Sequence, residues 1–309
     1  MSGLWLNFDV TGVASGLFDQ ALRERQLERS ARLEEAAIAF GQPDPEAVLA
    51  APHLRWIHLS SAGYTRYDVD SFRAAMQARG TVVTTSSAVY ADPCAQHVFA
   101  MMLAGARQLP ECVVTQRSDH AWTQRARRIG SQLMTGQRVV LLGFGAIGQR
   151  LAALLAPFAM EISALRRSAA SGSPNVRLIQ HDELDSALAS ADHVVDLLPE
   201  NPSTLGFVSA ARFAAMKRGA KFYNIGRGAT VDQTALIAAL SSGALAAAFL
   251  DVMAPEPLPP DHALWTAPNC WITPHSAGGH ANETERLVAH FIDNLNRFSA
   301  GRPMQDRVM

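Results

Sequence analysis

Short runs rich in β-branched and other apolar residues, each closed by Gly, Pro or Asp, recur along the second half of the chain. They are Arg138-Val-Val-Leu-Leu142, Glu161-Ile-Ser-Ala-Leu165, His193-Val-Val-Asp-Leu197, Lys221-Phe-Tyr-Asn-Ile225, Ala247-Ala-Phe-Leu250 and Cys270-Trp-Ile-Thr273. Such runs predict six strands. Stretches with helical spacing separate several of them: Ala146 to Leu155, Asp182 to Ala189, Ala210 to Met216 ending near Gly219, and Asp232 to Leu240 ending near Gly243. A glycine just after the last periodic position is a helix stop. Strands in alternation with helices, and mostly without charge, predict a parallel sheet covered on both faces.

The first hundred residues repeat the pattern more weakly. Arg55-Trp-Ile-His-Leu59 and Thr81-Val-Val-Thr84 read as strands and Ser71 to Ala78 as a helix. Asp92 to Ala106 reads as an apolar helix opened by Asp92-Pro93, a capping acid followed by proline in the first turn. Glu283 to Phe298 reads as a last amphipathic helix. The stretch Arg117 to Gly136 is polar, carries Arg125, Arg127 and Arg128, and reads as a surface connection. Two long helices flanking a complete α/β unit predict an inserted domain, 108–279, within a domain made of 1–107 and 280–309.

Composition narrows the function classes. The chain has 309 residues, 48% of them hydrophobic and 18% charged, with a formal net charge of −1. That is enough apolar material for two cores, and it supplies neither a basic field for nucleic acid nor a polybasic membrane patch. Cys94, Cys112 and Cys270 are far apart in the chain, so neither a disulfide framework nor a cysteine zinc site is expected, and Cys94 on its apolar helix reads as core packing. No basic n-region opens the sequence and no window nears 18 uninterrupted apolar residues. The expectation is a cytoplasmic protein with no membrane and no nucleic-acid partner. His275 and His280 have no carboxylate or cysteine nearby to complete a ligand pattern, so no metal is expected. The nucleophile-elbow, His-Glu-x-x-His and Walker lysine motifs are missing.

The chemistry lies just after the strands. Gly143-Phe-Gly145-Ala146-Ile147-Gly148 follows one strand and opens a helix, the context in which the G-x-G-x-x-G spacing binds a dinucleotide. The next strand ends in Leu165-Arg166-Arg167-Ser168, where an acid would bond a ribose 2′-hydroxyl. Two guanidiniums and a hydroxyl instead suit a 2′-phosphate, which predicts NADP(H) over NAD(H). Ligands of open α/β sheets sit beyond the carboxyl ends of the strands. Gly226-Arg227-Gly228, Asp251-Val-Met-Ala-Pro-Glu256 and Pro274-His275 each follow a strand. Arg227 offers a fork for a carboxylate, and a carboxylate at Glu256 would favour the protonated form of His275.

These segments resemble the D-isomer-specific 2-hydroxyacid dehydrogenases, nearest the glyoxylate/hydroxypyruvate reductase branch. The resemblance is carried by Gly143 to Gly148, Asn224-Ile225-Gly226-Arg227-Gly228, Leu250-Asp251-Val-Met-Ala-Pro-Glu256-Pro-Leu258 and Ile272-Thr-Pro-His275-Ser-Ala-Gly278. It runs from about Leu54 to Val308. It implies an α/β fold of two doubly wound parallel-sheet domains, Rossmann-like and flavodoxin-like, with the cofactor domain inserted into the substrate domain and the active site between them. It also implies catalytic roles for Arg227, Glu256 and His275, and cofactor contacts at the glycine turn, Leu198, Pro199, Ile225, Gly226, Asp251 and Gly278. Ser61, Ala62 and Gly63 match the family's substrate loop, and a homodimer is implied. Met253 and Gln96 depart from the family pattern, which often has an aromatic and a glutamate there.

The reaction so implied is NADPH-dependent reduction of a small 2-oxo acid to the D-2-hydroxy acid, with His275 as general acid. Two alternatives remain: an NAD-dependent dehydrogenase for another 2-hydroxy acid, and an NAD(H)-sensing binding protein of the corepressor kind.

Overall fold

A computed structural model describes residues 3–166 and 175–309. They divide into two compact units, one of residues up to Tyr90 together with Gly279–Met309 and one of Ala91–Gly278.

The first unit is built on five strands: β1 (Gly3–Leu6), β2 (Glu28–Ser30), β3 (Ile38–Gly41), β4 (Trp56–Leu59) and β5 (Val82–Thr84). They pair in parallel in the order β2-β1-β3-β4-β5, the flavodoxin-like winding. Helix Glu283–Ser299 returns to this unit because its apolar face carries Phe291. That ring stacks on Phe40 at a centroid distance of 4.3 Å and on Trp56 at 5.0 Å. All three side chains are fully buried, so this stack holds the end of the chain to β3 and β4. The terminal segment then lies antiparallel to β5: Val308 N–H donates to the Val83 carbonyl at 2.9 Å, and Val83 N–H to Met309 O at 3.0 Å.

The second unit holds β6 (Arg138–Leu142), β7 (Glu161–Leu165), β8 (Val176–Ile179), β9 (His193–Asp196), β10 (Ala220–Asn224), β11 (Leu245–Leu250) and β12 (Cys270–Ile272). Their parallel order is β12-β11-β10-β9-β6-β7-β8, a Rossmann winding whose strand order reverses between β6 and β9. Ligands of such sheets bind at the carboxyl ends beside that reversal.

Three local expectations change. β8 is a seventh strand of this sheet. Only four residues long and interrupted by the exposed Arg177, it gives too short a run to stand out. The long apolar helix starts at Ser87, not Asp92, and Pro93 sits inside it. Its early start is supported by Asp306, whose carboxylate accepts from the Ala88 N–H at 2.7 Å across 218 residues of sequence. The polar connection from Arg117 to Gly136 contains helix Gln124–Gly130 and follows helix Leu109–Arg117; Val113 on that helix and Trp122, Ile129 and Leu133 in the connection are exposed. Among the described residues, no helix is long and apolar enough to cross a membrane.

Candidate active site

In the second unit, three glycines shape the turn after β6, for two different reasons. Gly143 has φ 105°, and a Cβ on it would stand 3.2 Å from the Leu197 carbonyl oxygen. A Cβ on Gly148 would stand 2.9 Å from Gly143 O. Both are needed by the protein's own packing. Around the Cβ position of Gly145 nothing lies within 4 Å, so that glycine keeps space for something else. Helix Ala146–Leu155 begins there without a side-chain cap for its first-turn N–H groups, those of Ala146, Ile147 and Gly148. These features fit a dinucleotide pyrophosphate. A cavity of about 440 Å³ adjoins the turn, and its walls include Gly143, Gly145, Arg166, His181, Leu198 and Pro199. Arg166 is one of the cavity-lining residues, while Arg167 and Ser168 lie outside the described residues.

The loop after β10 is pressed against its neighbours. A Cβ on Gly226 would come within 2.6 Å of Leu198 O, and one on Gly228 within 1.9 Å of the Met253 carbonyl carbon. Asn224, buried, ties the loop from beneath: its Oδ1 accepts from Gly226 N–H at 3.0 Å and its Nδ2 donates to Arg227 O at 3.1 Å. Ile225 is buried and donates its N–H to Asp196 O. Arg227 is thus held at its backbone between two close-packed glycines, with its half-buried side chain donating to Gly226 O at 2.7 Å.

After β11 and β12 the acid and the imidazole meet. His275 Nδ1 lies 2.7 Å from Glu256 Oε2, and the other Glu256 oxygen accepts from Met253 N–H at 2.9 Å. Nδ1–H donating to the carboxylate leaves Nε2 as the ring atom that carries a transferable proton. The His275 side chain is 50% exposed, open to a reactant. Asp251 is buried beside this turn, and its two oxygens accept from the Thr273 hydroxyl, Ser276 N–H and Ala277 N–H. Gly278 closes the same turn and the unit.

Burial sets the charge of the groups around the loops. Asp196, fully buried at the end of β9, is pushed up to about 7, while hydrogen bonds from Thr230 and Leu198 N–H pull the other way. Its Oδ2 and the Arg227 carbonyl each lie 2.6 Å from Thr230 Oγ1. One hydroxyl proton cannot serve both acceptors, so a proton on Asp196 completes the set. His193 is pushed down to about 3 by burial with Lys221 nearby, and as a neutral ring it donates from Nε2 to Gln137 Oε1 and accepts at Nδ1 from the Tyr223 hydroxyl. The Cys94 thiol is pushed up to about 12, chiefly by burial and further by Asp251, so it is no thiolate nucleophile.

In the first unit, β4 delivers Ser61, Ala62 and Gly63. Ser61 Oγ donates to Gly63 O at 2.6 Å and accepts from Gln42 Nε2 at 2.9 Å, and Ser61 O accepts from Ser86 N–H. This loop is braced by two residues, Gln42 and Ser86, that the sequence does not single out. The same holds in the second unit for His97, His181, Asp196 and Thr230. Of these, Asp196 alone carries a signal, a lone acid between Val195 and Leu197 in an otherwise apolar run.

Residues 99–277 match the family model described as D-isomer specific 2-hydroxyacid dehydrogenase, NAD binding domain. A glyoxylate/hydroxypyruvate reductase B of Citrobacter koseri is 36% identical over 252 residues, covering 79% of this chain and 74% of that protein. A D-3-phosphoglycerate dehydrogenase of Mycobacterium leprae is 32% identical over 265 residues, 86% of this chain, and the chain spans 49% of that relative's length. Among solved structures, a D-isomer specific 2-hydroxyacid dehydrogenase from Xanthobacter autotrophicus Py2 in complex with NADPH and MES superposes with a TM-score of 0.83. It is 28% identical, with 99% of this chain and 98% of that one covered.

Proposed function

Because the chain belongs to the D-isomer specific 2-hydroxyacid dehydrogenase family, we propose that it reduces a small 2-oxo acid of the glyoxylate or hydroxypyruvate kind to the D-2-hydroxy acid with NADPH. The observation that carries this reading is the 2.7 Å contact of His275 Nδ1 with Glu256, on a unit that also fixes Arg227 between two close-packed glycines. The dinucleotide supplies a hydride for the carbonyl carbon. His275 gives its Nε2 proton to the oxygen that becomes the alkoxide, and in the reverse direction takes it back. Glu256 holds Nδ1–H and so keeps Nε2 facing outward. Arg227 binds the substrate carboxylate as a fork and places its positive charge where the carbonyl oxygen gains negative charge.

The proposal of NADPH rests on Arg166 in the wall of the cavity beside the glycine turn, at the position where an acid would select NADH. Gly143 to Gly148, Leu198, Pro199, Ile225, Gly226 and Gly278 are proposed to surround the dinucleotide. Asp251 Oδ2 accepts from Ala277 alone among the described residues, and its remaining acceptor position suits a carboxamide N–H. Contact of the substrate with Ser61, Ala62 and Gly63 is carried by the family resemblance. A homodimer is proposed on the same resemblance, and the exposed Val113, Trp122, Ile129 and Leu133 give it an apolar surface.

Initial rates with a panel of 2-oxo acids and each reduced cofactor test the reading. We expect steady NADPH oxidation with glyoxylate or hydroxypyruvate, and a loss of about 10²–10⁴-fold in His275→Ala. A preference for NADH overturns the cofactor assignment, and cofactor binding without turnover of any oxo acid overturns the enzyme reading in favour of a sensor.

A further inference from the structure

His275 occupies a backbone conformation with φ 50°, in the left-handed region that L-residues avoid. Something must hold it there. Asp251 meets three successive N–H groups of the turn: its main-chain carbonyl accepts from His275 at 2.8 Å, Oδ1 from Ser276 at 2.9 Å, and Oδ2 from Ala277 at 3.0 Å. The two consecutive N–H groups of Ser276 and Ala277 around the carboxylate form an anion-holding nest, here filled by the protein itself. The position of the imidazole therefore follows from the position of Asp251.

Asp251 is in turn fixed from the side of helix Ser87–Ala106. The Thr273 hydroxyl donates to Asp251 Oδ1 at 2.6 Å, a short bond to a charged acceptor. That uses the only proton the hydroxyl has, so the 3.0 Å contact between Thr273 Oγ1 and His97 Nε2 has to run the other way, with His97 donating. His97 Nε2 is also 3.8 Å from Asp251 Oδ1, and its ring is three-quarters buried. The neutral Nε2–H tautomer and the imidazolium both donate, so the link does not depend on which is present.

We propose that His97 is a positioning residue for the catalytic turn: through Thr273 it fixes the Asp251 carboxylate, and Asp251 holds His275 in its left-handed conformation. This rests on the reading of His275 as the general acid.

The test compares H97Q, whose side-chain amide can still donate, with H97M, of similar length and without a donor, alongside T273V, H97M/T273V and H275A. Expected are a fall in kcat of about tenfold in H97M with KM for the 2-oxo acid unchanged, because Arg227 is not on the chain of bonds. H97Q should recover to within about threefold of native, and the double variant should be no slower than T273V, since both act through one link. A kcat for H97M within about twofold of native, losses that multiply in the double variant, or H97Q no better than H97M would each overturn the proposal. Should H97M fail to fold, as judged by circular dichroism, H97Q against native and T273V decides the same point. H275A separates the two ideas: native turnover there removes the acid itself, whereas an inactive H275A beside a fully active H97M removes only the positioning role.

Discussion

Glu256 divides its two oxygens between two jobs. Oε2 stands 2.7 Å from His275 Nδ1 and Oε1 accepts from Met253 N–H at 2.9 Å, so one side chain anchors its own loop and orients the imidazole. Glu256→Gln separates these functions. The amide oxygen still accepts from Met253, so the loop stays in place. The NH₂ then faces Nδ1, which must become an acceptor, and a neutral ring in that tautomer is a poorer acid. We expect kcat to fall about 10²-fold, the lower end of what a general acid contributes, with KM for the oxo acid near native. Steady-state rates at saturating cofactor measure this, and an unchanged kcat would detach Glu256 from the mechanism.

The glycines make opposite predictions. At Gly145 the Cβ position is open and φ is −84°, a backbone that alanine accepts, so Gly145→Ala should fold and melt as the native protein does. Its methyl group would occupy the space proposed for a pyrophosphate, and NADPH affinity, measured by fluorescence titration, should fall at least about tenfold. At Gly228 the added methyl would meet the Met253 backbone, and Gly228→Ala should lose about 1–3 kcal/mol of stability or more in denaturant melts, with activity lost too. Equal behaviour of the two variants would contradict the division of roles between these glycines.

Asp196 and His193 give stability opposite dependences on pH. The Asp196 pKa is raised from 3.8 to about 7 in the folded protein. From about pH 4 to 7 the folded state therefore holds a proton that the unfolded state has released, and this contribution declines as pH rises through the window. His193 is lowered from 6.5 to about 3, so the unfolded state binds the extra proton below pH 6.5 and the contribution declines as pH falls. The slopes oppose each other, and Asp196→Asn isolates one. Relative to native, that variant should lose ground on acidification from pH 7.5 to 5, seen as a native-minus-variant difference in Tm that widens by several degrees. A difference that stays constant with pH would show that Asp196 does not carry the proton.

Much of the fold and of the site is legible in the amino-acid sequence, and the reason differs from residue to residue. The six strands from β6 to β12, apart from β8, announce themselves because a strand buried on both faces needs an uninterrupted apolar run. Arg227, Glu256 and His275 are legible because each stands just past such a run. β8 escapes notice because an edge strand of four residues, with Arg177 exposed, has no periodicity to recognise. The start of the helix at Ser87 is hidden because the partner of its first turn, Asp306, lies at the far end of the chain. The same explains His97: its role depends on Thr273, 176 residues away, and on Asp251, and no local spacing connects them. Glycine spacing marks the turn at 143–148 and expects Gly143 to serve the tight turn, Gly145 the approach of a pyrophosphate and Gly148 the packing of the helix; of the three, Gly145 alone has open space at its Cβ position.

The antiparallel turn-back of residues 307–309 onto β5 acts on the outside of the molecule. An open parallel sheet ends on each side in a strand whose outer N–H and C=O groups would accept any extended chain that drifts past, and β5 is one of the two such strands in the first unit. By placing residues 307–309 there, in the orientation opposite to every other strand of the sheet, the protein fills this border with a piece of itself.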